Sequence, residues 1–176
     1  YIKNMKKILI TGDRGIGKSR VIKKLWNVII ETFPSKEITG FFTRIEKTGE
    51  NKRFLTFNII GDKEHLILAH SNSEGMCVEE GAFEKAASSV KNIKSHGKIL
   101  IIDELGYLES QSIKFQTEVL ELISHASLSI IVVRKMKTPF LDQIRSSDNS
   151  VLFEVTAENR ENLVEKIKDC IVLTGQ

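Results

Sequence analysis

The chain reads as an α/β protein: a mostly parallel sheet covered by helices on both faces. Two patterns predict this. Residues 7–11, 98–103, 129–133 and 151–155 form short apolar runs, the signature of strands buried on both faces. Longer segments between them repeat apolar residues at helical spacing, as parallel strands joined by crossover helices require. A glycine-rich segment between the first strand and the first helix then narrows the class.

The elements follow in order. Residues 7–11 form a strand. A helix begins at Lys18 and places Val21, Ile22, Leu25, Trp26, Val28, Ile29 and Phe33 on a broad apolar face, and Pro34 ends it. Trp26 and Phe33 read as core residues. Residues 38–44 and 54–60 read as a hairpin across Thr48-Gly49-Glu50-Asn51, with a third short strand at 65–68 and a loop at 71–75. Residues 80–95 are helical, with Phe83, Ala86, Ala87, Val90 and Ile93 on one face and a stop at His96-Gly97. A helix at 112–125, a short helix opened by Pro139, and a last amphipathic helix at 157–171 complete the pattern. Strand order cannot be read from it.

Gly12-Asp13-Arg14-Gly15-Ile16-Gly17-Lys18-Ser19 satisfies G-x-x-x-x-G-K-[ST] in the strand–loop–helix setting that gives the motif its meaning. Gly12, Gly15 and Gly17 admit backbone angles that a Cβ disfavours, so the loop can turn its N–H groups around a polyphosphate. The helix start, at Lys18, Ser19 and Arg20, adds its positive dipole end. Lys18 is expected to reach the β- and γ-phosphates and the Ser19 hydroxyl to ligate Mg²⁺.

Ile99-Leu100-Ile101-Ile102-Asp103-Glu104 is the second informative segment. Four apolar residues deliver two adjacent carboxylates to the C-terminal end of a central strand, where open α/β sheets bind ligands. Asp103 matches the Walker B acid that helps hold Mg²⁺. Glu104 stands where it can polarise a water for in-line attack on a γ-phosphate. Arg14, Arg44, Arg53, Arg134 and Arg160 are candidates to neutralise the remaining charge, each also readable as a surface arginine.

Bulk properties narrow the partners. A formal net charge of +3 is too small to argue for nucleic acid or a membrane surface. The two cysteines, Cys77 and Cys170, lie far apart and outside any metal-ligand spacing, which argues for a reducing compartment and against a disulfide framework. The histidines are isolated, so no zinc site is expected. No apolar run reaches membrane-spanning length and no signal peptide is visible. The expectation is a cytoplasmic monomer with one domain over residues 5–176. Met5-Lys6-Lys7 reads as a start and residues 1–4 as an extension.

With both segments in hand, the chain resembles the P-loop nucleoside-triphosphatase family that includes the cancer-related and thermophilic nucleoside-triphosphatases. The resemblance rests on the phosphate loop, on Gly40-Phe41-Phe42-Thr43, on Val78-Glu79-Glu80-Gly81-Ala82-Phe83-Glu84, and most strongly on Ile102-Asp103-Glu104-Leu105-Gly106-Tyr107-Leu108-Glu109. Val155-Thr156-Ala157-Glu158-Asn159-Arg160 matches near the end. It implies a three-layer, RecA-like fold in which the Walker A and Walker B strands are not neighbours, with the hairpin as an insert. It implies slow, base-tolerant, Mg²⁺-dependent hydrolysis of nucleoside triphosphates. It supports Glu104 as the water-activating acid and places Asn159 and Arg160 near the base or the phosphates. The chain departs from the family pattern at Arg44-Ile45-Glu46, where acid and base are shifted, and at Arg134-Lys135-Met136-Lys137, which lacks an Ile-Pro turn.

Three other readings share the loop. A small kinase would pass the γ-phosphoryl group to an acceptor other than water. A GTP switch would use Asp103-Glu104-Leu105-Gly106 as D-x-x-G, but no Asn-Lys-x-Asp segment follows. A partner-activated ATPase would need a second protein to complete the site.

Overall fold

The computed structural model describes residues 7–49 and 52–174. The Met5 start and the Glu50-Asn51 half of the hairpin turn lie outside the described residues. In chain order the elements are β1 (Lys7–Gly12), α1 (Lys18–Thr32), β2 (Ile38–Lys47), β3 (Arg53–Ile59), β4 (His65–Asn72), β5 (Gly75–Val78) and α2 (Ala82–Asn92). Then follow β6 (Ile99–Leu105), a 3₁₀ turn (Leu108–Gln111), α3 (Ile113–His125), β7 (Leu128–Val133), α4 (Pro139–Arg145), β8 (Ser150–Val155) and α5 (Leu163–Thr174).

The strands form one sheet in the order β5-β4-β3-β2-β6-β7-β1-β8. From β2 to β8 the pairing is parallel, and β3, β4 and β5 extend the other side as an antiparallel meander. β7 lies between β1 and β6, with Ile130 opposite both Ile8 and Ile101. The strand carrying the phosphate loop and the strand carrying Asp103-Glu104 are therefore separated by one strand, as the RecA-like reading expects. The insert is larger than a hairpin.

Alternation along the central strands divides the core between two faces. Ile8, Ile10, Ile99, Ile101, Leu128, Ile130 and Val132 pack against α1 and α5. Leu9, Phe41, Leu100, Ile102, Ile131 and Val133 pack against α2, α3 and α4. On this second face Phe115 of α3 meets Phe41, Phe57 and Phe83, with ring centroids 5.5–6.2 Å apart. Burial of this kind contributes roughly 1.5–3 kcal/mol per large apolar side chain.

Gly40 lets β2 join the parallel half. Its φ is +133°, and a Cβ there would lie 1.9 Å from the carbonyl oxygen of Ile101 in β6. Only a residue without a side chain permits that approach.

Three expected boundaries move. Residues 71–75 are not a loop: β4 runs through Asn72 and β5 starts at Gly75, leaving a two-residue turn in which the Asn72 side chain accepts from the Glu74 N–H at 2.9 Å. Polar strand residues hid this pairing. α2 ends at Asn92 rather than at His96-Gly97, because Ile93 turns extended and His96 bridges to Ala126. The last helix starts at Leu163, not at 157, because Asn159 folds the preceding residues into a turn. No helix among the described residues is long and apolar enough to cross a membrane.

Candidate active site

The C-terminal ends of β1, β6 and β7 converge on one cleft. Gly12, Gly15 and Gly17 have φ values of +148°, +77° and +110°. These angles wrap the loop over the N-terminus of α1, whose first N–H groups have no capping side chain. Lys18 is buried. Its ammonium donates to the carbonyl oxygens of Gly12 and Asp13, at 3.0 Å each. The lysine thus bridges its own loop.

Asp103 follows the register of Ile99 and Ile101, so its side chain points to the α1 face. It is buried, and burial raises its pKa above the ordinary carboxylate value. The nearby Ser19 hydroxyl opposes that rise, Glu104 adds to it, and Arg44 and Lys18 oppose it. One hydroxyl and one carboxylate are what a Mg²⁺ ion needs from protein when phosphate oxygens and water complete its octahedron. Among the described residues no cluster of three or more His, Cys, Asp or Glu could hold a metal without such help.

Glu104 is fixed from both ends. Its carbonyl accepts from the Thr43 hydroxyl at 2.7 Å, and its N–H donates back to that hydroxyl oxygen at 3.3 Å. Its carboxylate accepts from Arg134 Nε at 2.5 Å and lies 3.7 Å from the Lys18 ammonium. The carboxylate is one-fifth exposed, so the pair is only partly screened.

Arg134 leaves the end of β7 and crosses over Gly106. A Cβ on Gly106 would lie 3.1 Å from Arg134 Cδ and 3.3 Å from Glu109 Oε2. Glu109 is buried and accepts from the Gly106 N–H at 2.9 Å. Burial pushes its pKa up to about 7; hydrogen bonds from the Glu109 and Gly106 backbone and the charge of Arg134 hold it from going higher. Arg145 reaches from α4 to the Arg134 carbonyl, which anchors the loop after β7. Lys135, next on that loop, pairs with Glu154 at 2.6 Å and with Asp13 of the phosphate loop at 3.5 Å.

The cleft holds about 1200 Å³. Gly12, Asp13, Arg14, Gly15, Gly17, Lys18, Ser19, Arg20, Asp103 and Glu104 all line it. Ile16 instead packs against the α1 face of the core. Asn159 and Arg160 do not line it. The Asn159 side chain accepts from the Thr156 N–H at 2.9 Å and donates to the Glu154 carbonyl at 2.8 Å, holding the turn after β8. Arg160 lies against the outside of the loop, its Cδ 4.0 Å from where a Cβ on Gly17 would be. Of the arginines weighed, Arg14, Arg44 and Arg134 line the cleft; Arg53, at the start of β3, does not. Sequence reasoning missed Thr43, Lys135 and Glu109 as site neighbours. Thr43 and Glu109 stand in segments that carried the resemblance, the one signal available for them. Trp26, read as core, is half-buried and also lines the cleft.

A phosphate-binding loop on β1, an acidic pair on the next-but-one strand and a cleft between them define the P-loop nucleotide-binding class. A family model described as NTPase matches residues 7–168. The nucleoside-triphosphatase THEP1 of Thermotoga petrophila is 32% identical over 171 residues, covering 92% of this chain and 90% of that protein. The one from Aquifex aeolicus is 30% identical, covering 92% and 96%. The crystal structure of THEP1 from Aquifex aeolicus superposes with a TM-score of 0.60 at 25% identity, over 92% of this chain and 96% of that one. The solution structure of a human cancer-related nucleoside triphosphatase gives 0.73 at 22% identity, over 94% and 97%, a likeness of fold. The chain belongs to the NTPase family, a family of nucleoside-triphosphatases.

Proposed function

We propose that the chain hydrolyses nucleoside 5′-triphosphates to the diphosphate and phosphate, with Mg²⁺, slowly and with broad tolerance of the base. The observation that carries this reading is Glu104. It is a fixed carboxylate beside the phosphate-loop lysine and next to the acid that faces Ser19.

The loop N–H groups and Lys18 hold the β- and γ-phosphates. Lys18 leaves the Gly12 and Asp13 carbonyls to do so. Ser19 and Asp103 would hold Mg²⁺, which would supply neutralisation of the triphosphate's charge. Glu104 orients a water and takes its proton as the water oxygen bonds to the γ-phosphorus and the bond to the bridging oxygen breaks. Arg134 steadies Glu104 and adds positive charge beside the reacting phosphoryl group. Broad base tolerance is expected because these groups address phosphates, which every nucleoside triphosphate shares. Slow turnover is expected because Glu104 begins beside Lys18, which must turn to the phosphates before the carboxylate is free to take a proton. Arg160, outside the loop, is assigned to the nucleoside end, and Asn159 to the turn that carries it.

The test is phosphate release from ATP, GTP, CTP and UTP with Mg²⁺. Glu104→Gln is expected to bind nucleotide normally and lose about 10²–10³ in turnover. Lys18→Ala is expected to abolish productive binding. Wild-type turnover in Glu104→Gln would remove the base assignment. The lining of the cleft by Lys23, Trp26, Phe42 and Arg44, beside the phosphate loop, favours a second reading, transfer of the γ-phosphoryl group to an acceptor other than water.

A further inference from the structure

Glu109 is a buried acid that the chemistry above does not use. It lines a second, smaller cavity of about 80 Å³ beside the nucleotide cleft. Thr43, Glu104 and Arg134 line both spaces, whereas Gly106, Tyr107 and Glu109 line the small one alone. Glu104 and Arg134 thus stand at the boundary, with the nucleotide cleft on one side and Glu109 on the other.

Gly106 lets the arginine and the buried acid come close. Where its side chain would begin, Arg134 Cδ and Nε and Glu109 Oε2 come within 3.1, 3.4 and 3.3 Å of one point. Arg134 Nε is committed to Glu104 Oε1, at 2.5 Å. The two terminal nitrogens of the guanidinium carry four more N–H donors. Among the described residues these meet no protein acceptor. The charges that reach Glu109 are Arg134, from the loop after β7, and Glu104, from β6. Tyr107 of its own turn lines the same cavity. α3 meets the turn through the Gln116 amide, which donates to the Glu109 carbonyl at 3.3 Å, and Lys114 in its first turn is exposed. From α4, Arg145 takes the Arg134 carbonyl and pairs with Asp142.

One arginine therefore faces two acids of unequal exposure. A protonated Glu109 asks nothing of it, since the Gly106 N–H already satisfies Oε2. An ionised Glu109 is a charge sealed from water, and such a charge needs a partner far more than an exposed one does. Glu104 is one-fifth exposed and keeps Lys18 at 3.7 Å, so it loses the arginine at smaller cost. We propose that Glu109 is a positioning residue for the hydrolysis: as the neutral acid it leaves Arg134 on Glu104, and as the carboxylate it draws Arg134 away and leaves Glu104 unsteadied. The inference rests on the reading of Glu104 as the water-activating acid and extends it. Glu109 itself touches no reacting atom and exchanges its proton with solvent. The consequence is opposite in sign to that of a titrating general base, whose rate rises with pH. Here turnover falls as pH rises, and burial of Glu109 places the fall near pH 7.

The test is the pH profile of phosphate release from ATP with Mg²⁺, from about pH 6 to about pH 9, in the wild type and in Glu109→Gln. Urea midpoints at each pH give the folded fraction by which the rates are divided. Wild-type kcat is expected to fall about tenfold across the range, the loss of one charge-assisted contact, with KM unchanged. Glu109→Gln cannot ionise but still accepts from the Gly106 N–H, so it is expected to keep its low-pH kcat throughout. The carboxyl carbon resonance of Glu109, identified by its absence from Glu109→Gln, is expected to titrate with the same midpoint as kcat. A residue that only supports the fold would leave the two profiles parallel. Parallel profiles, or a Glu109 resonance that titrates without a change in kcat, overturn the proposal. With Glu104→Gln inactive, that result overturns the role of Glu109 alone. Glu104→Gln turning over at the wild-type rate removes the base assignment instead.

Discussion

Glu109 is a carboxyl group that the fold keeps from water, and its proton is coupled to stability. Its pKa is raised to about 7 in the folded chain, from an ordinary value of 4.5. The unfolded chain therefore gives up this proton first as pH rises. Between those two values it binds fewer protons than the native state, so stability falls as pH rises and the loss is complete above about 7. The size of that loss is on the order of 3 kcal/mol. Glutamine cannot titrate, yet its carbonyl oxygen can still accept from the Gly106 N–H. Glu109→Gln should therefore gain stability relative to the wild type by about that amount between pH 4.5 and 8. Asp103 is shifted the same way but is common to both proteins, so it cancels. Urea unfolding of the two proteins at several pH values reads the difference. A pH-independent difference would mean that Glu109 is ionised in the fold throughout.

At the scale of elements, the pairing of β2 with β6 positions the Thr43 hydroxyl on Glu104, and Gly40 is what permits it. A Cβ there would overlap the Ile101 carbonyl oxygen at 1.9 Å, a backbone atom, in a conformation that side chains avoid. Gly40→Ala should cost more than about 3 kcal/mol or prevent folding. Any folded fraction should lose turnover, since the Thr43–Glu104 hydrogen bonds depend on that pairing. Denaturant midpoints and phosphate release at matched folded fraction check both parts. Much of this architecture was legible in the sequence where its cause is local. The loop, α1, and the strand ending in Asp103-Glu104 depend on glycine conformation, helical period and an apolar run, which a short window contains. The pairing of β4 with β5 was not legible because polar residues fill the paired end of β4, and the place of β7 between β1 and β6 was implied only by the resemblance, because it follows from partners far along the chain. The hold of Arg134 on Glu104, thirty residues apart, was not legible either, nor was the turn in which Asn159 delays α5. Arg44 was legible as a cation but not as a cleft residue, because its direction is set by the register of β2.

For the whole molecule, the decisive point is that the candidate site joins loops from β1, β6 and β7 with the first turn of α1. These elements are the middle of the sheet and the helix layer over one of its faces. A triphosphate held there ties the phosphate loop, the Asp103-Glu104 strand end and the Arg134 loop to one another, and no such ligand-binding surface exists in the unfolded chain. Binding must then appear as global stability, not as local ordering alone. At a ligand concentration one hundred times its dissociation constant, the gain is about 2.7 kcal/mol. In a chain of this size that corresponds to a rise in melting temperature of roughly 5–10 °C. The rise should depend on Mg²⁺, because Asp103 is buried next to Glu104 and a triphosphate without the ion would bring further negative charge to that pair. Melting curves with a non-hydrolysable ATP analogue should therefore show a large shift with Mg²⁺ and a small one after chelation. Lys18→Ala should show neither, since it lacks the ammonium that the phosphates need. An equal shift with and without Mg²⁺ would take the metal role away from Ser19 and Asp103 while leaving the loop as the nucleotide site.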